Sequence, residues 1–532
     1  MRVCGMWYIH PFANFRQRSL MTQMPLVAAL FFLFFSSITS IAKSPPPGPD
    51  DVNKLIKQAV KLTRAGLNTN AEKVLLRAIE LDKTRTDAKV ELAFVFVKER
   101  RLIEAYNLCL PIAQAEPKNA RARSVLGATL LNAGRFREAR LIFYTALQLD
   151  KNQDLAWAGY GLLDFYENKM GESLENLREA VYREPAEPDY RFALAQVCAR
   201  SERYADAADA YNEFLVVSRS TDKDRRDRIK GLIEFLRYLG YVGGLYTSNA
   251  ADVTTVPFEL VGNRPIIKIR INGKADPLRF VLDTGSGISV VSDEAAKRLN
   301  LRTVAKGGLA RGIGGDGKFA VVYGLIKELQ IGEVNLRNVP IYIRKFHGDV
   351  QNVDGYIGLA LISKFLTTID YGTQTFSLTK RDADRKVFSD GQDVSLPLRL
   401  TSSGFLSGEV ELEGVDSTLN FIVDTGASVS VISNSVSRAE RISPFVNAEK
   451  LRVIGSAGIT EDVPTFLLPR VTFGKHSRES IVAVALDLDV INEASGFEQA
   501  GILGGNFLKN YRLTFDFKNS KVTFVSIKPE KE

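Results

Sequence analysis

The segments "FVLDTGSGISVVS" (residues 280–292) and "FIVDTGASVSVIS" (residues 421–433) are two copies of one pattern. In both copies an apolar run leads into Asp-Thr-Gly, a small residue follows, and a second apolar run comes next. A single Asp-Thr-Gly is a weak signal that fits many turns at the end of a strand. Two copies in the same context predict an internal duplication.

The likeness between the copies extends well beyond the tripeptide. Two pairs of glycines occupy matching positions relative to the two aspartates, Gly273 with Gly414 and Gly314 with Gly455, and Gly358 and Gly504 share an apolar-apolar-Gly context farther on. Apolar and polar residues alternate before each copy, which predicts a β-hairpin, with its turn at Asn272-Gly273 in the first copy. We therefore expect two homologous β-rich lobes in tandem, over residues 256–380 and 392–531.

With these features, residues 256–531 resemble the aspartic proteases, and specifically the retroviral-type (retropepsin-like) lobes. The resemblance implies a bilobal enzyme in which each lobe supplies one catalytic aspartate, so that one chain needs no dimerisation. The implied catalytic carboxylates are those of Asp283 and Asp424. The implied supports of the catalytic loops are Thr284, Gly285, Ser286, Thr425 and Gly426, with Gly358 and Gly504 packed beneath them. The implied flap residues, which contact substrate, are Gly312, Gly314, Gly315 and Gly455.

The chemistry of this family explains why two copies are needed. Two carboxyl groups held about 3 Å apart cannot both ionise, so they share one proton and supply a general base and a general acid together. The expected activity is endopeptidase hydrolysis of peptide bonds by an activated water, and the resemblance implies no cofactor and no metal. The alternative is a pseudoprotease or scaffold that binds extended peptides without cutting them, because the first lobe's "YIGLALI" lacks the second glycine of "ILGGNFL".

One asymmetry distinguishes the two catalytic loops. Ser286 follows the first Asp-Thr-Gly, whereas Ala427 follows the second. In pepsin-like members of the resembled family the residue matching Ser286 donates a hydrogen bond to the catalytic aspartate. A hydrogen bond to the charged form lowers the pKa of a carboxyl group. We therefore predict that Asp283 carries the shared negative charge more often than Asp424.

A competing motif overlaps the first flap. Gly312, Gly314 and Gly317 satisfy G-x-G-x-x-G, which is typical of dinucleotide binding when a helix follows and an acidic residue stands about 20 positions on. Here no helical pattern follows, and Glu328 falls in a strand-like segment. The motif is therefore interpreted as a glycine-rich hairpin.

Residues 51–240 repeat with a period of 34. Small residues recur at two phases of the repeat: Ala59, Ala93, Gly127, Gly161 and Ala195, and Ala71, Ala105, Ala139, Ser173 and Ala207. The period and its helical spacing resemble the tetratricopeptide repeat, with a capping helix over residues 228–244. The resemblance implies a groove, separate from the protease lobes, that binds a peptide or protein partner; a spacer or packing platform is the alternative. On the first interpretation, deleting residues 51–220 spares the cleavage of short peptides.

The N-terminus predicts export. Residues 1–42 combine basic residues, the apolar run "LVAALFFLFF" and a small-x-small site, as in a signal peptide, and residues 43–50 are a proline-rich tether. We expect a periplasmic or other extracytoplasmic protein, or a membrane-anchored one if the segment is not cleaved. Net charge is +8, but acids interrupt the densest basic tract, between Arg219 and Arg237, which argues against a nucleic-acid partner.

Histidine and cysteine are too few and too scattered for a metal cluster or a Ser/His/Asp triad. The residues concerned are His10, His347, His476, Cys4, Cys109 and Cys198. The last two lie at apolar helical positions and are expected to be buried thiols. The expected architecture is thus multidomain, with an all-α solenoid followed by an all-β bilobal protease-like region.

Overall fold

The computed structural model describes residues 49–220, 222–248, 252–347, 352–381 and 394–527. The predicted signal segment, with Cys4 and His10, lies outside the described residues, as does most of the tether. The first helix begins at Pro49 and takes up the last two tether positions, because proline is tolerated in the first turn of a helix. Among the described residues, none of the helices combines the length and apolar character that a membrane span requires.

Eleven consecutive helices form the N-terminal array of the described chain. They are α1 (Pro49–Arg64), α2 (Asn68–Leu81), α3 (Thr86–Lys98), α4 (Leu102–Ala115), α5 (Ala120–Asn132), α6 (Phe136–Leu149), α7 (Asp154–Tyr166), α8 (Met170–Arg183), α9 (Pro188–Arg200), α10 (Tyr204–Val217) and α11 (Lys223–Val242). Helices pair in sequence order, and the odd-numbered ones from α1 to α9 also contact each other, which makes them the inner layer of a solenoid.

The 34-residue period has a direct structural cause. All ten small residues at the two predicted phases are buried, and a Cβ added at Gly127 would lie 2.7 Å from the ring of Phe143. The turn within each helix pair has one residue with positive φ, at Gly66, Arg100, Gly134, Asn168 and Glu202. The repeat therefore encodes both close helix packing and a left-handed turn at each pair. Cys109 and Cys198 are buried thiols, as expected.

The first lobe and its links to the array are built from twelve strands and two short helices. They are β1 (Thr247–Ser248), β2 (Val253–Pro257), β3 (Glu259–Val261), β4 (Arg264–Ile271), β5 (Leu278–Leu282), β6 (Val290–Ser292), α12 (Asp293–Arg298), β7 (Arg302–Arg311), β8 (Lys318–Ile331), β9 (Val334–Arg344), β10 (Gly355–Ile357), α13 (Leu359–Ile362), β11 (Phe365–Asp370) and β12 (Thr375–Lys380). Asn272 and Gly273 both have positive φ, as the predicted hairpin turn between β4 and β5 requires.

The second lobe repeats this plan. Its elements are β13 (Val394–Pro397), β14 (Arg399–Leu400), β15 (Leu406–Leu412), β16 (Leu419–Val423), β17 (Ser430–Ser433), α14 (Asn434–Ser437), a 3₁₀ turn (Ser443–Phe445), β18 (Val446–Ile454), β19 (Ile459–Phe473), β20 (His476–Leu486), α15 (Asp489–Ser495), β21 (Gly501–Leu503), α16 (Gly505–Leu508), β22 (Tyr511–Asp516) and β23 (Lys521–Ser526). The matching strand pairs β5–β10 and β16–β21 are both parallel. The duplication is thus one of topology as well as of sequence.

A six-stranded sheet joins the two lobes. Its order is β13-β23-β22-β11-β12-β2, and the central antiparallel pair, β11 with β22, has one strand from each lobe. Thr368 and Thr514 meet across this pair with their hydroxyls 3.2 Å apart. The lobes are therefore fixed relative to each other by backbone pairing, and the two Asp-Thr-Gly loops face each other above this sheet.

The helical array packs directly against the protease lobes. Helix α11 lies on β7, with Phe235 stacked on Tyr323 at 4.8 Å between ring centroids, and Gly231 approaches the Lys306 carbonyl so closely that a Cβ would lie 2.3 Å away. The capping end of the array is therefore joined to lobe 1, whereas the sequence predicted a groove separate from the lobes. The capping helix does end at Gly243 as expected, but its outer face is covered by lobe 1 rather than by solvent.

Ion pairs connect helices of the array to one another. Lys98 on α3 pairs with Glu187 (2.8 Å) and with Asp189 on α9, and Asp189 also pairs with Arg225 on α11. These pairs lower the pKa of Asp189, against the raising effect of its burial. An ion network thus links α3, α9 and α11 within the array.

Candidate active site

Asp283 and Asp424 follow directly after strands β5 and β16. The backbone N–H of each donates to the neighbouring parallel strand, Asp283 to the Ile357 carbonyl and Asp424 to the Leu503 carbonyl, both at 3.0 Å. Because these strands are buried and match in the two lobes, their ends deliver the two carboxyl groups to one point. Their side chains share a hydrogen bond, so the structure brings the two carboxyl groups together.

The two catalytic loops are locked together by their threonines. The Thr284 hydroxyl donates to the Val423 carbonyl (2.6 Å) and accepts from the Thr425 backbone N–H (3.1 Å). The Thr425 hydroxyl mirrors this, donating to the Leu282 carbonyl (2.7 Å) and accepting from the Thr284 N–H (3.2 Å). Both side chains are fully buried. The support role implied for these residues thus has a geometry that is equivalent in the two lobes.

Gly285 and Gly426 are required for steric reasons rather than for backbone flexibility. A Cβ at Gly285 would lie 2.4 Å from the Asp424 carboxyl carbon, and one at Gly426 would lie 2.7 Å from that of Asp283. Neither glycine has a left-handed backbone. Each therefore leaves room for the carboxyl group of the opposite lobe.

The asymmetry between the loops runs opposite to the prediction. The Ser286 hydroxyl donates to the Ile288 carbonyl (2.8 Å), not to Asp283. Asp424 instead accepts more bonds, from the backbone N–H groups of Gly426 (2.7 Å) and Ala427 (3.2 Å). The expectation that Asp283 carries the charge is wrong, because the hydroxyl satisfies a carbonyl within its own loop.

Burial raises the pKa of both catalytic carboxyl groups. For Asp283 the charge of Asp424 raises it further, and the value stands well above its usual range. For Asp424 burial is opposed by the bond to Asp283 and by backbone N–H donors. We therefore assign the shared proton to Asp283 and the negative charge to Asp424.

The predicted flaps are the tips of two hairpins, β7–β8 and β18–β19, and they touch each other. The Ala457 N–H donates to the Ile313 carbonyl at 2.9 Å. A Cβ at Gly314 would lie 2.2 Å from the Gly458 carbonyl oxygen, one at Gly315 would lie 2.7 Å from the Ala457 oxygen, and one at Gly455 would lie 2.1 Å from the Ile313 oxygen. A Cβ at Gly312 would collide with the Ser456 hydroxyl at 1.7 Å.

These glycines thus allow two backbones to cross closely over the dyad. The G-x-G-x-x-G run lies in this hairpin and is not followed by a helix, as interpreted from the sequence.

The glycine missing from "YIGLALI" has a local explanation. Gly358 and Gly504 both pack under the loops, where a Cβ would lie 2.7 Å and 2.6 Å from backbone carbons. The second glycine of lobe 2, Gly505, is needed because a Cβ there would lie 2.1 Å from the carbonyl oxygen of Asn263 in lobe 1. The lobe 1 loop keeps the same backbone bonds without such a glycine.

A cavity of about 1060 Å³ runs from the dyad to the seam between lobe 1 and the array. It is lined by the two aspartates and the flap tips, and also by array residues such as Phe192, Tyr211 and Phe235. Sequence reasoning missed this contribution of the array, and it also missed Arg264, Arg344 and Tyr356, which line the cavity on the lobe 1 side. Comparing matched positions of the two lobes would have singled out these three.

The isolated histidines serve other purposes. His476 is buried and its Nε2 lies 3.1 Å from the Phe524 carbonyl, and His347 lines the cavity. Within the described ranges there is no group of three His, Cys, Asp or Glu side chains placed to hold a metal ion.

Family models match the parts of the chain separately. Residues 267–361 and 408–507 match the model described as aspartyl protease, and residues 161–223 match that of the tetratricopeptide repeat. No curated protein matches the chain. The C-terminal region is therefore similar to a pair of aspartyl protease lobes, of the retropepsin-like kind, and the N-terminal region is similar to tetratricopeptide repeats.

Solved structures resemble parts of the chain. The aspartic proteinase from Irpex lacteus is 13% identical, with 52% of this chain and 97% of that one covered and a TM-score of 0.35. A thermophilic TPR protein of Thermus thermophilus is 19% identical, with coverages of 33% and 96% and a TM-score of 0.29. PilF of Pseudomonas aeruginosa is 19% identical, with coverages of 36% and 85% and a TM-score of 0.27.

Proposed function

We propose that the protein is an aspartic endopeptidase that hydrolyses peptide bonds without a covalent enzyme intermediate. The observation that carries this proposal is the pair of half-buried carboxyl groups, Asp283 and Asp424, which share a hydrogen bond beneath two flaps. Both loops keep the full set of threonine bonds, which argues against a decayed pseudoprotease.

The assigned proton gives each aspartate a role. Ionised Asp424 takes a proton from a water molecule as the water oxygen attacks the peptide carbonyl carbon, and Asp283 gives its proton to the carbonyl oxygen. The resulting gem-diol intermediate collapses when Asp424 gives the proton taken from water to the amide nitrogen and the C–N bond breaks, while Asp283 regains a proton from a hydroxyl of the intermediate. The flap tips exclude bulk water and offer backbone groups to an extended peptide.

The test is cleavage of a randomised peptide library by the full chain, followed by mass spectrometry. Cleavage by the parent protein is expected, together with its loss in both Asp424→Asn and Asp283→Asn. Turnover that persists in either variant would overturn the catalytic assignment. An intact, folded parent that binds library peptides and cuts none would support the pseudoprotease instead.

We propose that the repeat array supports the protease rather than serving only to recruit partners. Support comes from the residues of the deleted stretch that line the cavity, such as Phe192 and Tyr211, and from their neighbour α11, which packs on the flap strand β7. Deletion of residues 51–220 should therefore abolish cleavage of short peptides as well as of proteins. Retention of short-peptide cleavage would restore the recruitment interpretation.

Export remains a proposal that rests on residues 1–42 alone. A fusion of these residues to a reporter that is active only outside the cytoplasm tests it. Reporter activity is expected with the segment and not without it, and cleavage after the segment separates a secreted protein from an anchored one.

A further inference from the structure

The cavity above the dyad is strongly basic. Among its described lining residues, eight arginine or lysine side chains stand against three carboxylates, two of which are the catalytic aspartates. Several of the cations are neutralised by acidic partners: Lys364 by Glu202, Arg228 and Arg311 by Glu493, and Arg452 by Glu461. These pairs therefore add little net charge to the cavity.

Arg264 and Arg344 differ from those cations. In the described part of the chain no carboxylate forms an ion pair with either of them, although both line the cavity beside the dyad. The Nη1 of Arg344 donates to the backbone carbonyls of Lys345 (3.1 Å) and Ser456 (3.2 Å). A guanidinium has five N–H donors, so Arg344 keeps several for a ligand.

Aromatic rings hold Arg344 in place. Its guanidinium lies 5.1 Å from the ring centroid of Phe319 and 4.8 Å from that of Phe346, and Phe346 packs edge-on against Tyr356 at 5.3 Å. Arg264 acts on the same tyrosine, since its positive charge lowers the pKa of Tyr356 against the raising effect of burial. The two arginines therefore flank one tyrosine on the lobe 1 side of the cleft.

The duplication supplies a built-in comparison. Arg344 pairs with Ser292 at the end of β6, and Leu486 pairs with Ser433 at the end of β17. Because Ser292 and Ser433 hold the same position in the two copies, Arg344 and Leu486 correspond. Tyr356 and Ile502 correspond in the same way through β5 and β16.

Arg264 corresponds to Phe405. Ile266, two residues after Arg264, pairs with Val281, and Ser407, two residues after Phe405, pairs with Ile422, which matches Val281 in lobe 2. The polar residues Arg264, Arg344 and Tyr356 of lobe 1 thus correspond to the apolar residues Phe405, Leu486 and Ile502 of lobe 2.

The lobe 2 positions form a continuous apolar wall. Leu486 and Ile502 are buried in one cluster with Ile422, Val431 and Ile491, against which Phe405 packs. Such a surface favours a large apolar side chain and would leave a carboxylate without partners. The two halves of the cleft therefore differ in chemistry although they share one fold.

We propose that the cleft selects peptides with an acidic side chain on the lobe 1 side of the scissile bond, bound by Arg264 and Arg344, and a large apolar side chain on the lobe 2 side. This inference rests on the proposed peptidase function. A carboxylate bound by guanidinium groups gains charge-assisted hydrogen bonds that a neutral amide cannot match. The preferred substrate thus has an acidic side chain on one side of the scissile bond and an apolar side chain on the other.

The test uses peptide pairs that differ only by Glu or Gln at each position flanking a bond that the full chain cuts. On one side of the bond, Glu should raise kcat/KM at least about tenfold over Gln. On the other side of the bond, a peptide with Glu should have a lower kcat/KM than a third peptide with leucine at that position. Equal rates for Glu and Gln at every position would overturn the inference while leaving the peptidase intact.

Variants then assign the preference to the two arginines. Arg264→Phe and Arg344→Leu introduce the residues of lobe 2, and the double variant should bring the Glu/Gln ratio close to one. Arg344→Gln serves if the leucine variant does not fold. Lys268→Leu is the matched control, because Lys268 lies exposed on β4 and does not line the cavity, so its ratio should not change. A ratio that survives in the double variant would contradict the proposal.

A binding measurement separates this inference from the proposed function. Fluorescence polarisation of labelled Glu and Gln peptides with Asp424→Asn reports affinity without turnover. If the parent cuts nothing and Glu peptides still bind more tightly, the peptidase proposal fails and the acidic preference stands. If neither peptide is preferred in binding or in cleavage, the acidic preference fails.

Discussion

Replacing Thr284 by valine should loosen the joint between the lobes, because valine keeps the shape of threonine and loses its hydroxyl. The change leaves two buried groups without partners, the Val423 carbonyl and the Thr425 N–H. Each such group costs about 1–3 kcal/mol, so the local free energy of opening should fall by about 2–6 kcal/mol. Exchange of the Thr425 amide hydrogen should therefore accelerate by about 30-fold to about 20,000-fold.

Hydrogen exchange with mass spectrometry measures this change, and peptide cleavage measured in parallel should fall because the dyad is next to the joint. Thr284→Ser is the control, since it keeps both hydrogen bonds. Thr425→Val should behave like Thr284→Val, because its bonds mirror those of Thr284. An exchange rate in Thr284→Val within about threefold of that in Thr284→Ser would refute the view that the hydroxyls hold the loops together.

Three further variants test separate parts of the structure. Ser286→Ala should leave both limbs of the pH profile of kcat/KM unchanged, since the hydroxyl bonds a backbone carbonyl and not the dyad. Arg344→Gln should move the descending limb to higher pH: the arginine charge lowers the pKa of Asp283, so without it the shared proton is held to higher pH. Phe235→Ala should weaken docking of α11 on Tyr323 by about 3–5 kcal/mol, seen as faster limited proteolysis between the array and lobe 1.

Each of these variants also has an outcome that counts against its premise. An acidic limb displaced in Ser286→Ala would show that the hydroxyl reaches Asp283 during turnover. A descending limb that stays fixed, or moves to lower pH, in Arg344→Gln would remove Arg344 from the surroundings of the dyad. Unchanged proteolysis in Phe235→Ala would mean that the helix is held by other contacts.

The sequence predicted the features that repetition makes visible. The 34-residue period located the helix pairs, and the paired Asp-Thr-Gly segments located the dyad, its threonines and both flaps. Such patterns are local and occur more than once, so chance likeness between copies is small. Positions such as Gly285 and Thr425 were accordingly found from the motif alone.

The rest depends on contacts between distant segments. Ser286 has an acceptor nearer than the catalytic carboxylate, in the Ile288 carbonyl, and a tripeptide pattern carries no such information. The docking of α11 on lobe 1 joins residues far apart in the chain, such as Phe235 and Tyr323, without any periodic signal. The basic half of the cleft could not be predicted from the duplication, because Arg264 and Arg344 differ from their lobe 2 counterparts.

The left-handed turns of the array have a consequence for how this protein can change over time. Three successive turns each reach a different place on the lobes: Asn132 accepts from the Glu498 N–H, Asn168 donates to the Phe517 carbonyl (3.3 Å), and Glu202 pairs with Lys364. Adding or removing one 34-residue unit between them would shift every later turn off its contact. Solenoids usually lengthen and shorten readily by whole units. Here the stretch from the third to the fifth turn is fixed in length by the enzyme it supports.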